Sequence, residues 1–360
     1  VAGEFRAWNG SDFVTLANSD VDGTAYFMAA TNIVVRSNDI TGGMNALIFN
    51  DVYHVDVLGN VIHDARSDLL RITGDSSDFD IAYNYLVETH SVAGDHPDMI
   101  QLLARNGQTP DNIRIVGNNL YDDPDTGSTP AQGIFFNDAA ADGYRHVLIE
   151  NNIVHSGSAN GVYMSGGTEN VLIKDNLLTV MPDGSGGSLR IVEDDGNHNR
   201  GTTVTGNTVR RILDETSDFS AGIVIENNTF QNVPGSPPTG TPTIGVLPSS
   251  PASPPPSPPP PVSPPPAPSG DVQVSNAQEL AAALASAPAG GTIVLAAGDY
   301  GALNLTGVSF ASNVTIKAET ALGARFSTVQ LSNTDHLAFE GISVSGEFRA
   351  WQGSDAISLV

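Results

Sequence analysis

The residues best suited to chemistry in this chain lie close together in one stretch, residues 66–105. His96 stands in the segment GDHPD between Asp95 and Asp98, and Arg71 stands in the segment DLLRI. An imidazole changes its charge near neutral pH, and a guanidinium binds carboxylates through paired N–H groups. The flanking carboxylates can orient the imidazole or hold a cation. The stretch therefore combines groups that bind an anion with groups that transfer a proton.

A repeated strand motif centred on asparagine must position these residues. The motif, apolar-x-apolar-x-x-Asn-x-apolar, alternates with period two and therefore predicts strands. It returns every 21 to 34 residues, which predicts an all-β fold, a right-handed parallel β-helix (a solenoid) in which the side-chain amides form an Asn ladder. A leucine-rich-repeat solenoid is the alternative, but its leucine consensus is missing. The ladder asparagines are Asn38, Asn60, Asn84, Asn118, Asn152, Asn176, Asn207 and Asn228.

A second set of strands carries the outward side chains. The segments are DFVTL, NALIF, DLLRI, DMIQL, QGIFF, NGVYM and GSLRI, and the third and fifth residues of each are expected to point inward. The fourth residues then form an outer column about 4.8 Å apart, close to the length of one sugar unit. This column is an expected floor for an extended acidic glycan, although outward positions of any solenoid can be polar or aromatic by chance. Its members are Thr15, Ile48, Arg71, Gln101, Phe135, Tyr163 and Arg190.

Composition narrows the class of protein. Fifteen basic and forty acidic residues give a net charge of −25, which argues against nucleic acid as a partner. The chain has no cysteine, so it has neither disulfides nor thiolate metal sites. No apolar run is long enough to insert into a membrane. We expect an extracellular, secreted or cell-surface, bacterial protein, and any export signal has been lost or lies upstream of Val1.

The chain is predicted to hold three regions. Residues 1–233 form a β-helix domain without its first turns, residues 234–270 form a stiff, disordered Pro-rich and Ser-rich linker, and residues 271–360 begin a second copy. The copy is indicated by VSGEFRAWQGSDAISL near the end, which matches VAGEFRAWNGSDFVTL at the start in 11 of 16 positions. Ser275 and Gln278 predict a capping box for a short helix that covers the open end of the stack. Residues 271–343 are expected to stack onto the open end near Val1, as in a circular permutant.

The segment ELAAALASAPAGGTIVLAAGDY resembles the opening of β-helical polysaccharide lyases of the alginate lyase and chondroitinase B type. The Asn-ladder turns resemble the wider pectate-lyase-like superfamily, which includes mannuronan C5-epimerases. The resemblance implies removal of the C5 proton of a uronic acid, followed by elimination or reprotonation. It also implies a Lys, His, Tyr or Arg base, with Ca²⁺ or Arg neutralising the substrate carboxylate.

On that resemblance, His96 is the expected base, Arg71 the carboxylate clamp, Asp98 the group that orients His96, and Tyr163 the acid for the leaving oxygen. The only two lysines, Lys174 and Lys317, lie off the outer column, which disfavours a lysine base. The residues expected to contact substrate are Arg66, Asp95, Gln101, Phe135 and Arg190.

Several alternatives stay open from the sequence. His96 and Asp98 can instead cap a loop, and His63 and His155 are expected on the surface. No cofactor is assigned, although Ca²⁺ is a candidate at Asp122, Asp123 and Asp125. The runner-up functions are a non-catalytic glycan-binding or adhesion module, and a hydrolase that uses Asp95 with Asp98 or Asp138.

Overall fold

The chain forms a parallel β-helix in which three sheets run along a common stack. A computed structural model describes residues 1–122, 127–137, 143–193, 196–235 and 271–360. All paired strands within the three sheets are parallel. Up to residue 230, each turn of the chain passes from the first sheet to the second and then to the third, whereas residues 271–360 add strands to the first two sheets alone. The predicted fold is confirmed, although the sequence analysis identified only two of the three sheets.

The first sheet, called the front sheet here, carries the outer column of side chains. Twelve of its 13 strands stack in a continuous order from residues 211–215 at one end to residues 298–306 at the other, and the thirteenth, Ser343–Val344, pairs beside that order with Ala324–Ser332. In chain order the strands are Phe5–Trp8, Ala25–Met28, Leu47–Asn50, Leu70–Thr73, Asp98–Leu103, Gln132–Asn137, Asn160–Met164, Ser188–Val192, Arg211–Glu215, Gly298–Thr306, Ala324–Ser332, Ser343–Val344 and Phe348–Trp351.

The second sheet, the ladder sheet, holds the strands that precede each ladder asparagine, and a third sheet of short strands follows. The 14 ladder-sheet strands are Asp12–Ala17, Thr31–Arg36, Tyr53–Leu58, Ser77–Ala82, Asp111–Val116, Tyr144–Glu150, Thr168–Lys174, Arg200–Thr205, Ala221–Glu226, Val272–Val274, Thr292–Leu295, Ser309–Ala318, Asp335–Glu340 and Ile357–Leu359. The third sheet comprises Asp20–Asp22, Asp39–Thr41, Val61–Ala65, Tyr85–Thr89, Asn119–Tyr121, Ile153–His155, Leu177–Leu178, Thr208–Val209 and Thr229–Phe230.

The core fills the interior of the coil with one inward residue above another. Leu70 and Ile72 are fully buried, as the strand alternation predicts. Stacked phenylalanines continue the core through successive turns, with Phe5 and Phe27 ring centroids 5.5 Å apart and Phe27 and Phe49 centroids 5.2 Å apart. This packing fixes the face of the sheet on which the intervening residues appear.

The asparagine ladder is confirmed at every step. From Asn38 to Asn207, each Nδ2 donates to the Oδ1 of the next ladder asparagine at 2.9 to 3.0 Å, and the last acceptor is Asn228. Each ladder backbone N–H donates to the same oxygen, as Asn84 does to Asn118 at 2.9 Å. The ladder therefore satisfies the polar groups of a buried bend on each turn.

Residues near the chain end continue the stack beyond Val1. Strand Phe348–Trp351 pairs with Phe5–Trp8, and the Ala2 N–H donates to the Val344 carbonyl at 2.8 Å. The segment in direct contact with the first strand is thus residues 344–360, with residues 271–332 farther out along the stack. The division into residues 1–233, 234–270 and 271–360 stays a prediction, since residues 236–270 of the linker lie outside the described part.

Among the described residues one helix occurs, α1 (Ala277–Ser286), which buries Leu280 and Leu284 against the first strands of this segment. Its N-cap is Asn276, whose side chain accepts the Glu279 N–H at 3.0 Å, while Glu279 accepts the Ser275 N–H at 2.8 Å. The predicted capping box was therefore placed one residue too early. In the described ranges, no helix has the length and apolar content needed to cross a membrane.

The predicted position of Thr15 is wrong. Thr15 pairs with Val34 in the ladder sheet, because DFVTL is a ladder-type strand in which Ser19 takes the place of the asparagine and donates its N–H to Asn38. The front-sheet strand of that turn is FRAW, which places Arg6 in the outer column. Trp8 of this strand also points outward, and because it is apolar, the sequence FRAW lacks the alternation of apolar and polar residues that identifies the other strands.

Candidate functional site

Five side chains of the predicted outer column lie in register on consecutive front-sheet strands. Strand pairing aligns Arg71 with Gln101, Gln101 with Phe135, Phe135 with Tyr163 and Tyr163 with Arg190. The residues before and after each of them face the core, so all five project from the outer face of one sheet, although Gln101 (6% exposed) and Phe135 (7% exposed) are themselves buried. In the other direction Ile48, Tyr26 and Arg6 continue the same line.

His96 stands beside this line, on the loop that leads into strand Asp98–Leu103. Its side chain is 59% exposed, and its Nδ1 lies 3.2 Å from Oδ2 of the fully buried Asp98. The ring packs against Phe135, with centroids 5.0 Å apart. The imidazole is thus held from below by a carboxylate while its outer edge faces the groove.

Gln132 and Asn160 determine which nitrogen of His96 carries the proton. Asn160 Nδ2 donates to Gln132 Oε1 at 2.6 Å, which turns the Gln132 amide nitrogen towards His96 Nε2 at 2.9 Å. Because that amide is a donor, Nε2 must accept, and the proton of a neutral ring lies on Nδ1, facing Asp98. His96 therefore presents an unprotonated nitrogen on its outer edge.

The two aspartates beneath the groove are buried. Burial raises the pKa of Asp98, although His96 and Gln101 act in the opposite direction through their hydrogen bonds. Burial also raises the pKa of Asp68 to about 6, against the lowering effect of Arg71. The hydrogen bond to Asp98 in turn raises the pKa of His96 above its usual 6.5. A higher pKa makes the imidazole a stronger base.

Arg71, the expected carboxylate clamp, is anchored by Asp68. Its Nε donates to Asp68 Oδ2 at 2.6 Å, and its Nη2 makes a second, shorter contact with the same carboxylate. In the part of the chain that the structure describes, Nη1 has no side-chain partner. Asp68 thus fixes the guanidinium on the groove floor and leaves one N–H edge for an anion.

The next rungs form an aromatic platform. The Phe135 and Tyr163 rings stack with centroids 4.7 Å apart at an interplanar angle of 18°. Arg190 lies 5.6 Å from the Tyr163 ring centroid and pairs with Glu215 at 2.5 Å. A flat stack of this kind can support the apolar face of a sugar ring.

Arg66 and Asp95, expected to contact substrate, bind each other. Arg66 donates to both oxygens of Asp95, at 2.8 and 2.9 Å, and Asp95 also accepts the Val92 N–H at 2.9 Å. The pair holds the loop that presents His96. Their roles towards a substrate stay predictions.

Asp122 is committed to hydrogen bonds within the fold. Its buried carboxylate accepts the N–H groups of Ala131 at 2.9 Å and Gly157 at 2.7 Å, and burial raises its pKa to about 6. Asp123 and Asp125, the other candidate calcium ligands, lie outside the described residues. The same is true of Asp138, one of the carboxylates considered for a hydrolase, while Asp98 is fully buried.

A different group of side chains has donors suited to a metal. One ligand atom each from Asp64, Glu88 and His90 lie within 4.8 Å of one another. His90 Nε2 is 2.6 Å from Asp64 Oδ1, and His63 bridges Asp64 and Asp39. Imidazole–carboxylate contacts therefore already engage Asp64.

Sequence reasoning missed Asp68, Gln132 and Asn160 as members of the site. The signal was present, because the front-sheet segments DLLRI, DMIQL, QGIFF and NGVYM all begin with a polar residue at one register position.

The expectation that His155 is a surface residue is wrong. It is 3% exposed, stacks on Tyr121 with centroids 4.7 Å apart, and contacts Thr179 Oγ1 at 2.8 Å.

Comparisons with known proteins add little to this geometry. Among solved structures, the chain is similar to the PL6 family alginate lyase AlyGC, with 14% identity over 99% of this chain and 72% of that chain, at a TM-score of 0.27. An arginine-to-alanine mutant of that lyase gives 13% identity, 98% and 73% coverage, and a TM-score of 0.21. No family model and no curated protein matches the chain. The strand pairing therefore establishes the class, a parallel β-helix protein, and the likeness carries no functional argument.

Proposed function

We propose that the protein is a carbohydrate-active enzyme that removes the C5 proton of a uronic acid in an anionic polysaccharide, as a β-elimination lyase or a C5-epimerase. One observation carries the proposal. His96 presents an unprotonated Nε2 above a buried carboxylate, beside a groove floor that offers an anchored guanidinium and an aromatic platform.

In the proposed reaction, the uronate carboxylate lies over Arg71 and Gln101. Gln101 Nε2 already donates to Asp98 Oδ2 at 2.6 Å, so Gln101 keeps one amide hydrogen for the substrate. The two donors stabilise the negative charge that develops when the carbon beside a carboxylate loses its proton. Substrate takes the place of Gln132 at Nε2, and His96 accepts the C5 proton while Asp98 stabilises the imidazolium.

The fate of the carbanion separates the two reactions. In a lyase the C4–O bond breaks as a C4–C5 double bond forms, and Tyr163 or water protonates the leaving oxygen. In an epimerase no bond of the chain breaks, because C5 is reprotonated on its opposite face.

The first test is a panel of polymers. The full chain is incubated with alginate, pectate and glycosaminoglycans in ²H₂O, while the absorbance of unsaturated ends and deuterium at C5 are followed. A lyase gives absorbance, and an epimerase gives deuterium without chain cleavage. If every polymer binds but neither signal forms, the protein is the non-catalytic glycan-binding module instead. An increase in reducing ends without either signal would indicate a hydrolase.

A specific observation favours the binding module as second candidate. Arg71 and Arg190 are both paired with carboxylates, and the Phe135 and Tyr163 rings stack on each other. Such a surface binds sugars by stacking whether or not His96 acts as a base.

A further inference from the structure

The groove continues past Arg71 into a pocket of about 320 Å³. Its wall includes Arg71, Arg105, Tyr26, Asn50 and Thr73. Tyr26 and Arg71 belong to the outer column, whereas Asn50 and Thr73 are neighbours in register at the ends of their strands. The volume lies at the lower end of the range for small-ligand sites. The pocket is therefore large enough for one unit of a polymer that lies along the front sheet.

Two buried side chains of this wall have polar atoms without partners. Asn50 is 3% exposed and Thr73 is 8% exposed. Within the described ranges, neither Asn50 Oδ1 nor Thr73 Oγ1 has a hydrogen-bond partner. Each such atom costs about 1–3 kcal/mol when buried, so two of them in register are a feature that stability alone does not explain.

The Asn50 carboxamide is oriented by its surroundings. Its Nδ2 lies 3.5 Å from the Tyr26 hydroxyl, which leaves Oδ1 as the acceptor without a partner. Gly74 follows Thr73 with φ of +75°, and a Cβ at that position would lie 2.1 Å from Asp51 Oδ1 and 3.2 Å from Asn50 Oδ1. Because Gly74 has no side chain, the side chains of Asp51 and Asn50 can occupy this space.

The pocket also has two cations at its edge. Arg71 is held by Asp68, and its remaining Nη1 edge is assigned above to the carboxylate of the unit that reacts, so Arg105 is the cation left for a second unit. Arg105 lies 3.8 Å from Asp51, longer than a hydrogen bond, and both side chains are about half exposed. An exposed pair of this kind is weakly held, so Arg105 can turn towards an anion in the pocket.

We propose that this pocket binds a second uronate unit of the polymer, next to the unit whose proton His96 removes. This proposal rests on the proposed function. Arg105 pairs with the carboxylate of the second unit. Asn50 Oδ1 and Thr73 Oγ1 have almost no exposed surface in the free protein, so both side chains rotate when the sugar binds, and each then exchanges a hydrogen bond with a sugar hydroxyl. The neutral donors and acceptors then recognise the sugar, while the guanidinium selects units that carry an acid group.

Three variants test the pocket. Arg105→Ala removes the anion partner, and Thr73→Val replaces the unpaired hydroxyl with a methyl group of the same shape. Arg114→Ala is the matched control, because Arg114 is also 46% exposed and pairs with an aspartate, Asp80, at 3.2 Å, but lies on the ladder sheet. Two measurements are made on each full-length variant: steady-state kinetics on the polymer that the wild type converts, and calorimetric titration with sodium hexamers of guluronate, mannuronate and galacturonate.

If the pocket is a subsite, we expect Arg105→Ala to raise KM and the hexamer Kd about tenfold, because a change of this size corresponds to the loss of one charge-assisted hydrogen bond. kcat is expected to change less than threefold, because neither residue contacts the reacting carbon. Thr73→Val is expected to weaken binding about threefold to tenfold without lowering the melting temperature, because the deleted hydroxyl has no partner in the fold. Arg114→Ala is expected to match the wild type.

The outcomes separate the pocket from the proposed function. If the wild type converts a polymer and Arg105→Ala and Thr73→Val leave KM and Kd unchanged, the pocket is not a subsite and the function stands. If no polymer is converted but a uronate hexamer binds and Arg105→Ala weakens it, the pocket stands and the catalytic proposal fails. If neither conversion nor hexamer binding occurs, both proposals are overturned.

Discussion

The ladder and the groove lie on the same turns of the coil but differ in how they use polar side chains. The ladder repeats one residue type at every step, and its buried amides all have partners from Asn38 to Asn207. The front sheet changes residue type from rung to rung. It also holds most of the buried polar atoms that lack partners among the described residues, including those of Asn50, Thr73, Asp98 and Gln101.

This difference indicates which side chains of a solenoid stabilise the fold and which are available to bind a ligand. Each turn needs the same solution at its buried bend, so repetition of asparagine serves the fold. A ligand needs different groups at different places, so variation within a column indicates a binding surface. Buried atoms without partners weaken the fold and are tolerated where a ligand can satisfy them.

The largest effect is expected for Asp98→Asn. An asparagine there donates to His96 Nδ1, which moves the ring proton to Nε2 and removes the base. We expect kcat to fall about 10⁴-fold, as for the equivalent change in a Ser-His-Asp triad. The melting temperature at pH 7 is expected to stay level or rise, because a buried carboxylate with one unpaired oxygen is neutralised. Retained activity in this variant would count against the tautomer assignment.

The ladder is expected to show the reverse pattern. Asn118→Ala leaves the backbone and side-chain N–H groups of Asn84 without their buried acceptor. We expect a loss of about 2–6 kcal/mol in the free energy of unfolding, at 1–3 kcal/mol for each unsatisfied group. Denaturant unfolding measures this loss, and activity per folded molecule is expected to stay at the wild-type level.

Asn228→Ala is the control for the ladder variant. Asn228 accepts the same two hydrogen bonds from Asn207, but it lies at a more exposed end of the ladder. Water can replace the lost acceptor there, so the cost is expected to be smaller. Equal costs at both positions would mean that burial does not determine the ladder's contribution.

The pH dependence is a further way to compare the two regions. His96 acts only when it is neutral, and its pKa is raised above 6.5. kcat/KM is therefore expected to fall about tenfold for each pH unit below that pKa. NMR of the His96 ring protons measures the midpoint directly. It is expected to drop in Asp98→Asn, because the hydrogen bond to Asp98 is the largest cause of the shift.

The same shift has a consequence for stability. A histidine whose pKa is higher in the folded state stabilises the fold when it is protonated. That contribution is fully present below pH 6.5 and is lost as the pH rises through the folded pKa. Stability and activity are therefore expected to change in opposite directions across this window, unless His96 titrates at its ordinary value.

The smallest effect is expected at the loop. Arg66→Ala removes the paired contacts to Asp95 that hold the His96 loop. The Arg66 side chain is half exposed and water can replace its contacts, so kcat/KM is expected to fall by less than about fivefold. A loss comparable with that of Asp98→Asn would show that Arg66 contacts the substrate, as the sequence analysis expected.

The sequence predicted the parts of the structure that repeat. The period-two pattern and the ladder asparagines gave the solenoid, and the fourth residues of six of the seven proposed front-sheet segments fall in one column. The assignment of Thr15 to the front sheet was wrong because ladder and front strands share the same alternation of apolar and polar residues. Only the strand with which each one pairs on the neighbouring turn distinguishes them. The prediction that His155 lies on the surface was wrong because the Tyr121 ring stacks on it and covers it.

The site could be predicted only in part. His96 and Asp98 are close in sequence, and their contact follows from the loop and strand that they occupy. The roles of Gln132 and Asn160 depend on contacts across turns, 36 and 28 residues apart in sequence. The polar residue that opens each front-sheet segment marks the register position of these side chains, but their contacts with His96 depend on the lengths of the intervening loops, which local pattern does not give.

The most direct test of the central claim compares two histidines that have similar exposure and similar aspartate contacts but lie on different faces of the coil. His96 and His146 are both more than half exposed and both contact an aspartate through Nδ1, but His146 lies on the ladder sheet. We expect His96→Ala to abolish C5 deuterium incorporation and unsaturated ends on the converted polymer, with His146→Ala at the wild-type rate. Product formation that survives in His96→Ala would contradict the assignment of His96 as the base.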